Sequence, residues 1–276
     1  MRLQNKRYCI EFLRLLLILS VLGLLAEHSR ATAKEQNADS WSLQSPDKQL
    51  AVTVTLADLS SMPGNHKGKR LYYRIDHGPA DARVEVLPFS PLGIVRKDQA
   101  FVDGLKFVSA RPIRQINETY EMPHGKRRLC RNHAQELILT FKNRHDAKLN
   151  LILRAYNDGI AFRYCFPEKD KKRRTVTAEL TGFRIPADSR VWIQPYQEAG
   201  QYTPAYEDYY LNGIRAGTAS PEQSGWALPA LFKLGNGQWV LLAEALIDGS
   251  YCGTRLAQQA PDGLYRVRLP DVAEGN

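Results

Sequence analysis

Residues 149–166 read LNLILRAYNDGIAFRYCF, two apolar, β-rich runs on either side of Asn157-Asp158-Gly159. Leu149, Leu151 and Leu153 alternate with Asn150, Ile152 and Arg154. Beyond the turn, Ala161, Arg163 and Cys165 alternate with Phe162, Tyr164 and Phe166. A two-residue period belongs to a half-buried strand, so the stretch predicts a β-hairpin. Asp158-Gly159 offers the positive φ angles that tight hairpin turns use. On its own this hairpin is architectural, since any antiparallel sandwich could contain it.

Working outward, similar runs recur along the chain. An alternating strand is predicted over Leu50–Leu56, after the turn at Ser45-Pro46-Asp47, and another over Arg70–Asp76. Further β-type runs fall at 83–87, 105–110, 135–141, 148–156, 160–166, 175–180, 190–193, 227–234, 239–245 and 264–269. Gly, Pro or Asn/Asp separates most of them, helical periodicity is almost absent, and no repeat of 20 to 50 residues stands out. Short strands at regular spacing predict an all-β chain, a large antiparallel β-sandwich.

The composition agrees with a packed domain: 276 residues, 43% hydrophobic and 24% charged. A formal net charge of +9 and a pI near 9.4 raise the question of nucleic acid. The cations, however, fall in scattered clumps (67–70, 126–131, 169–174) without interleaved aromatic residues, and no nucleic-acid motif accompanies them, so a solvated basic surface is expected. At the N-terminus, Arg2, Lys6 and Arg7 precede an apolar run from Leu15 to Ala26 and a small-x-small site at Ala31-Thr32-Ala33. This pattern predicts a cleaved secretory signal over 1–33 and a linker over 34–40, with the domain over 41–276. The apolar run is too short for a stable membrane span. Cys130, Cys165 and Cys252 remain in the mature chain, so at most one disulfide can form and no zinc-type spacing is present.

Five segments together carry a resemblance. They are Ser90-Pro-Leu-Gly-Ile, Glu118-Thr-Tyr-Glu-Met-Pro-His-Gly-Lys-Arg, Arg131-Asn-His-Ala-Gln-Glu-Leu, Leu153-Arg-Ala-Tyr-Asn-Asp-Gly-Ile-Ala-Phe-Arg-Tyr and Trp192-Ile-Gln-Pro-Tyr. In this order the chain resembles the N-terminal domain of glycoside hydrolase family 97, a family of bacterial α-glucosidases and α-galactosidases. The resemblance implies a super-sandwich of the galactose-mutarotase type, followed in complete members by a catalytic (β/α)8 barrel and a small C-terminal β-domain. A barrel takes about 250 residues, and none remain after Asn276. The expectation is therefore an accessory, carbohydrate-binding domain, without catalytic residues of its own, whose partners are an α-linked oligosaccharide or a catalytic barrel. Secretion, to the periplasm, follows from the leader.

The family's sandwich also lends a glutamate to a calcium site at the barrel's active centre. Here the matching position is Glu207, in Tyr206-Glu207-Asp208-Tyr209, with Asp208 and Glu198 as alternative equivalents. One carboxylate cannot satisfy a cation that takes six to eight oxygens, so the calcium site is expected to be incomplete in this chain. Other acids, Glu118, Glu121, Glu136, Glu244 and Asp248, offer no preferred pair for glycosidic chemistry, which needs two carboxyls facing each other across a sugar. Glu136 and Glu244 are expected to face solvent or to be hydrogen-bonded. His124 and His133 keep open a free-standing mutarotase or epimerase, which would move protons with a histidine and a glutamate. A basic secreted module for anionic polymers is the reading from another class. Separated from a barrel, the sandwich is expected to expose apolar surface at the Tyr202–Tyr210 loop and Trp226.

Overall fold

The structure, a computed structural model, describes residues 39–170, 172–198, 208–247, 251–271 and 274. The predicted leader, most of the predicted linker and Glu207 lie outside these described residues. From Trp41 onward the chain forms one compact unit.

The decisive hairpin is present as Lys148–Ala155 paired with Ile160–Cys165, in register from Asn150↔Cys165 to Ala155↔Ile160. Its alternation is that of a half-buried strand: Leu149, Leu151, Leu153 and Ala155 are all buried. The turn differs from the expectation. Neither Asp158 nor Gly159 has a positive φ. The Tyr156 N–H donates to the Gly159 carbonyl at 2.8 Å, so residues 156–159 reverse the chain without a left-handed residue. At the tip, the Asn157 side-chain oxygen accepts from the Asp47 N–H at 3.1 Å and ties the hairpin to the first turn of the domain.

This hairpin is half of the central sheet. Leu129–Lys142 pairs with Lys148–Ala155 on one side and with Lys106–Ala110 on the other, while Arg114–Glu121 pairs with its first half. Leu151 stands opposite both Leu139 and Tyr164, and Leu153 opposite Leu137 and Phe162, so the inner face is an apolar grid. The N-terminal sheet, Ser40–Gln44, Leu50–Ala57, Arg70–His77 and Val84–Pro91 in chain order, lies against that grid. Trp41 meets Phe107 at 4.5 Å and Phe141 at 5.4 Å between ring centres, and Tyr73 meets Phe162 at 5.1 Å. Offset and edge-on ring contacts of this kind add to area burial.

Three smaller sheets complete the unit: Val176–Glu179 with Ile94–Arg96 and Ala100–Phe101, Gly182–Arg184 with Leu264–Arg268 and Arg255–Leu256, and a C-terminal sheet in the order Leu211–Arg215, Arg190–Ile193, Ala230–Lys233, Trp239–Leu242. One continuous cluster of buried residues reaches from Trp41 and Val54 through Leu151 and Phe141 to Phe232 and Tyr265. The sandwich predicted from sequence is therefore present, built as antiparallel sheets around one core.

Two differences have a clear physical origin. Arg114–Glu121 and the first half of Leu129–Lys142 project as a ribbon whose residues are mostly exposed. A ribbon wet on both faces needs no alternation, so its sequence shows no strand period. The run at 239–245 is strand only to Leu242, because Glu244 turns to receive Thr254 instead: its carboxylate accepts from the Thr254 N–H and hydroxyl at 2.7–3.0 Å.

Candidate functional site

The strand Arg190–Ile193 runs out into Gln194-Pro195-Tyr196, and the chain returns as Leu211–Arg215. Between them lies the aromatic and acidic segment singled out in the sequence; its residues 199–207, Glu207 included, are outside the described ones. What the structure describes is the root of that segment. The Tyr196 N–H donates to the Gly225 carbonyl and the Ala227 N–H to the Gln194 carbonyl, both at 2.9 Å. Trp226 and Leu256 exchange backbone hydrogen bonds at 2.9 and 2.8 Å, which joins the root to the strand at Arg255–Leu256. Gly225 makes this approach possible: its φ is +99°, and a Cβ there would fall 2.1 Å from the Leu256 carbonyl oxygen.

Arg255 is the second anchor. Its guanidinium, 1% exposed, pairs with Glu274 at 2.6 Å and Asp271 at 2.7 Å and lies 4.3 Å from the centre of the Tyr196 ring. The Tyr196 hydroxyl donates to Glu274 at 3.1 Å. Burial raises the Tyr196 pKa, and the bond to Glu274 adds to it. Burial would also raise Glu274, but the Asp271 N–H and the Arg255 guanidinium outweigh it and hold the carboxyl below its usual value. Charge-assisted bonds of this kind are the strong ones, so they tie the root of the segment to residues 271 and 274.

Trp226 corrects an expectation. It is 1% exposed, sealed between the bridges to Pro195 and Leu256, and is not part of an open surface. Tyr209 and Tyr210 are exposed as expected, at 89% and 41%. The described residues contain no group of three or more His, Cys, Asp or Glu side chains able to hold a metal. Asp208, one alternative to Glu207, is occupied by the Gln197 amide and the Tyr209 N–H.

Those of the other candidate acids that the structure describes are engaged locally. Glu118 accepts from Asn132 and Glu121 from Arg128. Glu136 is buried between Arg114 at 2.8 Å and Arg154 at 2.9 Å, which stand opposite it on the two neighbouring strands. Burial pushes the Glu136 pKa up, but the hydrogen bonds from Arg154 and Arg114 more than reverse this. Asp248 lies outside the described residues. His124 is exposed and His133 meets the Gln115 amide at 3.1 Å; among the described residues neither forms an ion pair with a carboxylate. No histidine and glutamate come together as a proton-transfer pair there. Cys130, Cys165 and Cys252 are free thiols.

Sequence reasoning missed two features. Glu179 accepts from the Tyr251 hydroxyl at 2.7 Å, and burial raises its pKa. Nothing in Val176-Thr-Ala-Glu marks that acid as interior. The other is the outer face of the C-terminal sheet. Trp192 and Trp239 meet there at 5.2 Å between ring centres, and the Lys233 ammonium lies 5.6 Å from the Trp239 ring.

Comparison with known proteins bears on both sheets and segment. A family model described as glycosyl-hydrolase 97 N-terminal matches residues 43–271. A Streptomyces bingchenggensis protein described as a probable retaining α-galactosidase is 31% identical over 186 residues, 67% of this chain and 27% of its own length. The retaining α-galactosidase of Bacteroides thetaiotaomicron is 27% identical over 86% of this chain and 33% of its own length. The chain thus spans about a third or less of these curated relatives. Among solved structures, a β-arabinopyranosidase superposes with a TM-score of 0.74 at 27% identity, over 86% of this chain and 36% of that one. A family 97 enzyme from Pseudoalteromonas sp. strain K8, solved with panose, shares the fold with a TM-score of 0.64 at 22% identity, over 83% and 32%.

Proposed function

Because the chain belongs to the glycosyl-hydrolase 97 N-terminal family, we propose that it serves as the accessory sandwich of an α-glycosidase and acts on α-linked oligosaccharides only together with a catalytic domain. The observation that carries this reading is the pinned root of the 199–207 segment. Arg255 binds Tyr196, Asp271 and Glu274 into one unit, which suits a loop that must be held against a partner rather than one that works alone.

In this reading the catalytic domain supplies the two opposed carboxyls that glycosidic chemistry needs. Glu207 supplies one oxygen ligand to a calcium ion whose remaining ligands come from the catalytic domain and water, and the ion would fix the sugar's hydroxyls or neighbouring carboxylates by charge. The sandwich's part is to present that carboxylate on a rigid base and to exclude water around it. Secretion by the leader over 1–33, to the periplasm, belongs to the same proposal. The α-galactoside is the first substrate to try, because both curated relatives are described as α-galactosidases.

The test is an assay of the purified protein on chromogenic α-galactosides and α-glucosides, alone and with the catalytic domain of the Bacteroides relative added. No turnover alone, turnover with the partner, and a higher calcium requirement in Glu207→Gln are the expected results. Turnover by the protein alone that survives repurification would sink the proposal. Equal calcium requirement in the two versions would remove Glu207 from it.

A further inference from the structure

The C-terminal sheet buries one face and leaves the other to solvent. Val191, Ile193, Phe232 and Leu242 point into the core, so Arg190, Trp192, Leu231, Lys233, Trp239 and Leu241 point outward. Strand register sorts these outward residues into two rows. Arg215, Arg190, Lys233 and Trp239 stand opposite one another across the four strands, and Trp192, Leu231 and Leu241 form the row beside them.

The first row places three cations side by side, an arrangement that destabilises a sheet when nothing balances it. Arg190 reaches only the Gly213 carbonyl, at 3.4 Å, and Lys233 only the Trp239 ring; among the described residues none of the three forms an ion pair with a carboxylate. The second row is an apolar floor that stays partly wet, with Leu241 61% exposed, and Trp239, 51% exposed, ends the first row beside it. Trp192 packs beside Gly213, whose φ of +65° favours glycine and whose Cβ position lies 3.5 Å from the indole, an ordinary van der Waals contact.

We propose that this outer face binds an acidic oligosaccharide, with pyranose rings packed on Trp192, Trp239 and Leu241 and their carboxylates paired with Arg190, Arg215 and Lys233. Charge complementarity requires an anionic ligand. The apolar row beside the cations requires one with a hydrophobic flank, which a pyranose supplies through its axial C–H groups. Cations one strand apart, about 4.8 Å, match a chain that carries one carboxylate per ring. Size also favours a slender ligand. The four short strands present roughly 200 Å², well below the ~800 Å² per partner of a stable protein interface. These cations belong to none of the three basic clumps of the sequence, so the site is a local one and not a consequence of net charge.

The probe is a galacturonate oligomer, titrated at low salt into the purified protein while tryptophan fluorescence is followed; a neutral malto-oligomer and an oligothymidylate of equal charge serve as controls. Saturable binding of the galacturonate, absent for the neutral oligomer and at least several-fold weaker for the nucleotide, is expected. Arg190→Gln/Lys233→Gln should weaken it about fivefold. Trp239→Leu, at an exposed position that leaves the fold intact, should weaken it about tenfold. Lys126→Gln/Arg128→Gln on the projecting ribbon should leave it unchanged. The proposal is overturned by an absence of saturable binding, by unchanged affinity in both sheet-face variants, by loss of binding in the ribbon variant, or by equal or tighter binding of the oligothymidylate. No catalytic partner is present in the titration, so its outcome is independent of the proposed function.

Discussion

The central sheet and the C-terminal sheet are both antiparallel and bury one face in the same core, but they finish their outer faces in opposite ways. On the central sheet, outward polar groups are matched across strands: Thr140 donates to Asn150 at 2.9 Å, and Glu136 sits between Arg114 and Arg154. On the C-terminal sheet, three cations share a row without a carboxylate, next to exposed Trp239 and Leu241. A face whose charges are internally satisfied has nothing left to offer a ligand. A face that tolerates repulsion and wet apolar area keeps both for a partner, and the contrast separates scaffold from binding surface.

The largest effect should come from the inner grid. Leu151→Ala, at a fully buried position between Leu139 and Tyr164, should cost about 2–5 kcal/mol of stability in urea denaturation. Leu241→Ala on the C-terminal sheet's outer face should stay within about 0.5 kcal/mol. Similar losses in the two variants would erase the distinction between the faces.

An intermediate effect should come from the matched charges. Glu136→Gln strands two arginines that are still partly hydrated, with side-chain exposures of 67% and 32%, so a loss of about 1–2 kcal/mol at pH 7 is expected. The sign with pH follows from the lowered pKa. A carboxyl that titrates lower in the folded state contributes stability above its unfolded pKa and loses it as pH falls through the folded value. The gap between the natural protein and Glu136→Gln should therefore narrow as pH drops below about 4.5, the ordinary glutamate value. A gap that is constant from pH 7 to pH 3 would assign the loss to packing instead of charge.

The smallest effect has the opposite sign. Arg190→Gln should stabilise the protein slightly, by about 0.3 kcal/mol at low salt, because it relieves like-charge neighbours. The gain should vanish near 1 M salt, where the screening length is about 3 Å. Arg154→Gln on the matched sheet should destabilise under the same conditions. If Arg190→Gln also destabilises, the cation row is satisfied in a way that removes its claim on an anion.

The hairpin at 149–166 was legible because its information is local. Alternating leucines define an inner face whichever partner covers it, and its four-residue turn needed no special conformation to follow. Family membership was legible for a related reason, since short segments keep their residue order through the fold. By contrast, the Arg114–Glu121 ribbon had no period to read, because both of its faces are wet. Trp226 looked like a surface residue until Pro195 and Leu256 closed over it. The Arg255 cluster joins Tyr196 to Asp271 and Glu274 across 78 positions of chain. Even Arg215, Arg190 and Lys233, scattered in sequence, become one row only when strand register sets them side by side. Periodicity along one strand belongs to the amino-acid order, so the sequence determined the sandwich and its inner face. Which charges are matched and which are left for a ligand depends on distances between strands, and only the tertiary structure decided those.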